Sequence, residues 1–175
     1  MKRILLIVLI FSISKVTAQT SPCLTNPVYR QFDFWIGSWE VFALNGNKAG
    51  DSKITLILDS CVIFEEWVST ITKQQPGYSG KSYNTYNGIT QQWQQTWVDN
   101  TGGTIEYLEG RLNGNKMMFF TKPFAFTKDT MALRKLSFVN LGPDRVQQLG
   151  EISKDKGGSW QTEFDLEYRR KKQVN

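Results

Sequence analysis

The chain has 175 residues, a formal net charge of +5 and no histidine. That length suits one domain. Without imidazole, Ser-His-Asp and Cys-His catalysis, His-ligated haem and the usual zinc sites are excluded, so acid–base work would fall to carboxylates, Tyr, Lys or Cys.

Lys2 and Arg3 precede an apolar run from Ile4 to Ile10, extended by Phe11 and Ile13, and the small or polar Ser12, Ser14, Thr17 and Ala18 are interspersed or follow. This order predicts a secretory signal peptide over residues 1–18, cut between Ala18 and Gln19 after Val16-Thr17-Ala18. The run is far short of the ~20 apolar residues that span a bilayer. Thr20-Ser21-Pro22 is a poor lipobox for an anchor on Cys23. The expected mature domain is 19–175, exported to the periplasm or beyond, with no membrane span. Removing Lys2, Arg3 and Lys15 leaves 18 basic residues against 16 acidic. No broad basic face remains, so nucleic acid is not an expected partner. The tail Arg169-Arg170-Lys171-Lys172 reads as a solvated C terminus.

Cys23 and Cys61 are the two cysteines. An even count in an oxidising compartment predicts one disulfide, tying the N-terminal segment to the third strand and contributing roughly 4 kcal/mol by loop closure. Next, Pro27 to Ile36 lacks alternation and follows the capping residue Asn26, which predicts a short helix closing one end of the fold.

From there turn signals punctuate the chain at short intervals, among them Asn45-Gly46-Asn47, Gln75-Pro76-Gly77, Asn87-Gly88, Asn113-Gly114-Asn115 and Gly142-Pro143-Asp144. The runs between them alternate with period 2. Trp39, Val41 and Ala43 share one face; so do Ile54, Leu56 and Leu58; so do Trp93, Gln95, Trp97 and Asp99; so do Trp160, Thr162, Phe164, Leu166 and Tyr168. About ten strands result, each with one buried and one wet face, in an all-β antiparallel sandwich or barrel.

Gly37-Ser38-Trp39 is a Gly-x-Trp at the head of the first strand, where glycine lets backbones approach and Trp plugs a barrel bottom. The motif resembles the one that lipocalins carry at this place, and the resemblance implies a basic side chain near the last strand stacked on Trp39: Arg170, which shares the inward parity of Tyr168, or failing it Arg169, in a structural contact of roughly 0.5–2 kcal/mol. Ser153-Lys154-Asp155-Lys156-Gly157-Gly158-Ser159-Trp160 resembles an Asp-box. In such a hairpin turn Asp155 binds turn amides and Trp160 packs beneath. One copy argues a turn, not a glycosidase.

Phe32-Asp33-Phe34-Trp35-Ile36-Gly37-Ser38-Trp39, Glu65-Glu66-Trp67, Gly80-Lys81-Ser82, Trp93-Gln94-Gln95-Thr96-Trp97-Val98-Asp99 and Tyr168-Arg169-Arg170 together resemble a bacterial family of exported lipocalin-like domains. The resemblance runs from about Cys23 to Arg170. It implies a single up-and-down calycin barrel with an internal cavity, and it carries over no catalytic residues. Haem-binding nitrobindins, related to this barrel type, use a His ligand that this chain lacks.

Six Trp, six Tyr and eleven Phe could fill such a barrel or line a cavity. Tyr83, Trp93, Gln95, Trp97, Arg134 and Gln148 mix aromatic and hydrogen-bonding groups at mid-strand, which suits a pocket. Of the adjacent carboxylates Glu65 and Glu66, one must point inward; Glu66 is the expected lumen residue. Asp99, Glu106, Glu109 and Glu151 are further acidic candidates. An inward carboxylate needs a partner such as Arg134 or a shifted pKa. The leading expectation is an exported barrel binding a small apolar or amphipathic ligand, without cofactor or metal. Two alternatives stay open: an enzyme using a carboxylate or Tyr in the same cavity, and a filled barrel acting as an interaction protein. Oligomeric state is not legible.

Overall fold

A computed structural model describes residues 21–70 and 77–172, so the predicted signal peptide lies outside the described residues. The turn-punctuated runs become eleven strands: β1 Gly37–Ala43, β2 Lys48–Ile57, β3 Val62–Ser69, β4 Ser79–Asn87, β5 Gln92–Asp99, β6 Thr104–Asn113, β7 Lys116–Phe120, β8 Phe124–Ala125, β9 Met131–Asn140, β10 Arg145–Ser153 and β11 Gln161–Arg170. Ten of them form a closed antiparallel barrel and β8 is an extra strand on β9. Chain neighbours pair throughout, β9 follows β7, and β1 closes onto β11 with Trp39 opposite Arg170. Closure removes the free edges that an open sheet of this size would expose.

The antiparallel registers define two ends. Gly37, Asn87 and Arg170 lie at the lower end; Ala43, Asp99 and Ser153 lie at the upper end. The lower half is filled. Phe32, Trp35, Trp39, Phe119 and Phe138 are fully buried there. Phe32 stacks on Trp35 at 5.1 Å, and Trp35 sits 4.5 Å from Phe138. Each such ring contributes roughly 1.5–3 kcal/mol by leaving water.

The segment that delivers Phe32 and Trp35 is not one helix. A four-residue helix, α1, spans Pro22–Thr25, and two 3-10 turns follow at Pro27–Arg30 and Asp33–Trp35. The expected cap is real, since Asn26 Oδ1 accepts from the Val28 amide. A continuous helix over 27–36 fails because Phe32 leaves helical geometry, with φ −106° and ψ 9°. That break lets Phe32 and Trp35 share one buried site.

Two devices lock the plug. The Cys23–Cys61 disulfide, with Cα atoms 5.0 Å apart, ties α1 to the β2–β3 turn. At the lower rim the Arg170 guanidinium lies 4.2 Å from the Trp39 ring and donates to the Ile36 and Pro143 carbonyls. Gly37 has φ +142°, and a Cβ there would meet Arg170 Nη1 at 2.2 Å, so both backbone and space require glycine. Arg169 lies over Phe42 instead, on the outer face. At the upper end Asp155 accepts from the Ser159 amide and hydroxyl and from Ser153, holding the β10–β11 turn. Trp160 precedes β11, outside its inward face, and packs against Lys135 and Phe120. The bulge between Gly150 and Glu151 breaks the alternation expected from Trp160 onward.

Among the described residues no helix is long and apolar enough to cross a membrane.

Candidate functional site

Above the plug the described residues leave the barrel hollow. A half-enclosed cavity of ≈ 240 Å³ is lined by Trp67, Tyr78, Trp97, Ile105, Phe164 and Leu166 on its walls, with Glu65, Gln95, Tyr107, Leu136, Gln148 and Tyr168 deeper in.

Inward-facing glycines make this space. A Cβ on Gly50 would lie 2.7 Å from the Trp67 ring, one on Gly80 would lie 2.2 Å from Trp97, and one on Gly150 would lie 2.3 Å from Phe164. Each ring therefore lies over a glycine of the adjacent strand and hugs the wall. Lower down, the Gly110 position is likewise overlaid by Phe119 and Trp93, but there the centre is filled by Phe32. The same notch thus serves a packed half and a hollow half.

Among the described residues, Glu65 is the only carboxylic acid lining the cavity. It is buried, at 2% exposure. Its Oε1 accepts from Ser52 Oγ at 2.8 Å and Tyr168 Oη at 3.2 Å, and its Oε2 accepts from Ser82 Oγ at 3.0 Å. A chain leads into that contact: Gln95 Nε2 donates to Asn84 Oδ1 at 2.7 Å, and Asn84 Nδ2 donates to Ser82 Oγ at 3.0 Å. Asn84 also donates to the Ile63 carbonyl, which fixes its orientation. Burial drives the Glu65 carboxyl above its ordinary value, against the pull of the three hydroxyls. The Tyr168 phenol is pushed well above 10 by burial and then by Glu65, and Tyr107 is raised to about 12 by burial. Tyr168 Oη also faces Gln148 Oε1 at 3.0 Å, so its single proton has two acceptors to choose from.

Three of the seven expected lumen residues line the cavity: Gln95, Trp97 and Gln148. The structure corrects the placement of the other four. Glu66 points outward and pairs with Lys81 at 3.3 Å, because Glu65 shares the inward parity of Ile63 and Trp67. Tyr83 is 43% exposed and packs on Phe64 outside, since Ser82 and Asn84 take the inward positions beside it. Trp93 points inward but at the level of the plug, where it is buried and donates to Gln31 Oε1. Arg134 has the inward parity of Leu136 but sits nearer the upper rim, held by Glu163 at 2.8 Å and over Phe124 at 4.9 Å. It does not neutralise Glu65. Of the other acidic candidates, Asp99 caps the β5–β6 turn through Thr101 and Gly103, which holds it near 2, and Glu151 pairs with Lys135.

Sequence reasoning missed Glu65, Trp67, Tyr107 and Phe164 as lining groups. The readable signal was parity: Ile63, Glu65 and Trp67 share a face, and Ser82 and Asn84 share the facing one.

No group of three or more potential metal ligands occurs among the described residues. No protein-family model matches this chain, and no curated protein sequence matches it. The architecture defines a class, a closed β-barrel with a half-filled lumen, and the reading of its role rests on the cavity itself.

Proposed function

We propose that this protein is an exported binding barrel for a small, largely apolar molecule, akin to the lipocalin-like domains its sequence resembles. The observation that carries this reading is the hollow upper half, walled by rings held flat over glycines and floored by one satisfied polar cluster. In the packed half the Gly110 notch is closed over by Phe32, and a packed barrel would need no buried carboxyl. The disulfide supports an oxidising compartment, in keeping with the leader-like N terminus.

The size of the cavity restricts the occupant. A 150 Å³ apolar cavity accommodates benzene, and drug-sized ligands need ~300 Å³ or more. At ≈ 240 Å³ the lumen suits a single ring with a short chain, or an alkyl chain of similar bulk.

An enzymatic reading draws on Glu65 and Tyr168, an acid and a phenol in contact at the cavity floor. It is weaker, because the described residues of the cavity offer no second carboxyl at the spacing that paired acid–base catalysis uses, and no cation to hold a developing negative charge.

Native mass spectrometry of the protein taken from its own exported compartment tests the binding reading. The expected result is a discrete adduct that disappears on denaturation. A clean apo mass, together with failure of the purified protein to take up indole at millimolar concentration, would overturn it.

A further inference from the structure

The cavity has a charge character that its size and apolar walls do not reveal. Among the described residues, none that lines it carries a positive charge. The one carboxyl, Glu65, is buried without a cationic partner, while charged groups near the upper rim, such as Arg134 with Glu163 and Lys135 with Glu151, are already paired. A buried carboxylate ordinarily carries a counter-ion, because desolvation is otherwise uncompensated.

The hydrogen bonds around Glu65 are those of an acceptor. Because Asn84 Nδ2 donates to Ser82 Oγ, the Ser82 proton is left for Glu65 Oε2. Ser52 supplies its hydroxyl to Oε1, and Tyr168 shares its one proton between Oε1 and Gln148 Oε1. At most three bonds on a group with about four acceptor sites leave room for one more donor. Two side-chain amide oxygens also stand near the carboxyl. Gln95 uses its nitrogen on Asn84 and so offers its carbonyl oxygen, and Gln148 presents Oε1 beside Tyr168. Trp67, Trp97, Tyr107, Phe164 and Tyr168 surround this floor with aromatic surface. A carboxylate, spare acceptors and aromatic rings are the complement of an ammonium group, which has three donors and is attracted to ring faces.

We propose that the occupant of the cavity is a small organic ammonium, its cationic nitrogen docked on the Glu65 carboxylate and its apolar body lying between Trp67, Trp97 and Phe164. This rests on the binding-barrel reading and adds the charge class of the ligand. An anionic amphipath such as a fatty acid would set its headgroup against Glu65 or leave it at the mouth, and a neutral ligand would meet Glu65 as a protonated acid and draw nothing from its charge.

The test is isothermal titration of the purified full-length mature protein with three probes of similar size: 2-phenylethylammonium, 2-phenylethanol and phenylacetate. The expected result is that 2-phenylethylammonium binds at least tenfold more tightly than 2-phenylethanol, and phenylacetate most weakly. In Glu65→Gln the ammonium should lose at least tenfold while the alcohol changes less than threefold. The wild-type comparison needs no variant to fold. Equal or tighter binding of the alcohol or the phenylacetate, or an undiminished ammonium preference in Glu65→Gln, would overturn the charge assignment and leave the binding barrel standing. Failure of all three probes to bind wild-type protein would overturn both.

Discussion

Gly150→Ala tests whether the glycine notches create the cavity. The added Cβ would lie 2.3 Å from Phe164 Cε1, whereas ordinary contact begins at 3.4 Å, so the ring must retreat by 1.1 Å, the difference of the two. Retreat is possible because the three nearest atoms all belong to the Phe164 ring, which borders the void. One face of an aromatic side chain that buries 150–250 Å² is roughly 50 Å². Moving it inward by that distance removes ~55 Å³, about a quarter of ≈ 240 Å³. The lost space is worth about two methylene groups, and at ~0.8 kcal/mol each the affinity for a filling ligand falls roughly fifteenfold. Stability should fall by only ~1 kcal/mol, below the 1–3 kcal/mol of overpacking in a full core. Titration with 2-phenylethylammonium and urea unfolding measure the two quantities. Unchanged affinity would refute the notch argument. A stability loss above about 3 kcal/mol would refute the hollow lumen, because it would mean that Phe164 has nowhere to go.

Four further outcomes are expected. Replacing both cysteines, Cys23→Ser with Cys61→Ser, opens a loop with a sequence separation of 38; the chain-entropy model gives a loss of about 4 kcal/mol in chemical denaturation, and a loss under 1 kcal/mol would mean the plug holds itself. Trp35→Ala should cost ~3–5 kcal/mol, because the ring is fully buried against Phe32 and Phe138; urea unfolding reads this, and a cost below 1 kcal/mol would show that the lower half collapses around the gap. Stability should also fall as pH rises from the ordinary Glu value of 4.5 through the raised value of Glu65, because above 4.5 the folded state binds more protons than the unfolded; melting temperatures across pH 4 to 9 should slope downward in wild type and less so in Glu65→Gln. On the acid side the sign reverses: Asp99 and Asp155 are each held near 2 by hydrogen bonds, so their contribution is lost as pH falls from 3.8 towards 2, and Asp99→Asn should flatten that limb in acid titration.

The barrel was legible because its physics is local. Alternation and turn residues specify strands one hairpin at a time, and in an up-and-down meander each strand pairs with its neighbour in sequence. Gly37, Trp39 and Arg170 were legible as a set because the Gly-x-Trp resembles a known barrel-end motif and Arg170 shares the inward parity of Tyr168. The N-terminal plug was harder to read. Its two 3-10 turns are dictated by where Phe32 and Trp35 must go inside the closed barrel, and that destination is tertiary. Tyr83, Trp93 and Arg134 misled for a related reason: composition at mid-strand identifies neither the height of a residue in the barrel nor the partner that has already engaged it.

Glu65 and Glu66 show how narrow the margin is. They are chemically the same and adjacent, and a one-residue change of parity moves either one from solvent to lumen. What decides between them is not β3 alone but the inward positions of its neighbours. Glu65 stands opposite Ser82 on β4 and opposite Ile54 on β2, one inward step from Ser52. Gln95 on β5 stands opposite Asn84. Four successive strands therefore place polar residues, Ser52, Glu65, Ser82 with Asn84, and Gln95, within one inward step of each other on one face, in a barrel whose other inward positions at the lower end are aromatic and aliphatic. Glu66 faces Lys81 and Lys53 across the outer surface, where a carboxylate belongs for solvation alone. Stability would favour an apolar residue at position 65, since burial opposes ionisation there and no cation offsets it. A polar layer held against that preference, at the floor of the one hollow half, is best explained by what the cavity binds.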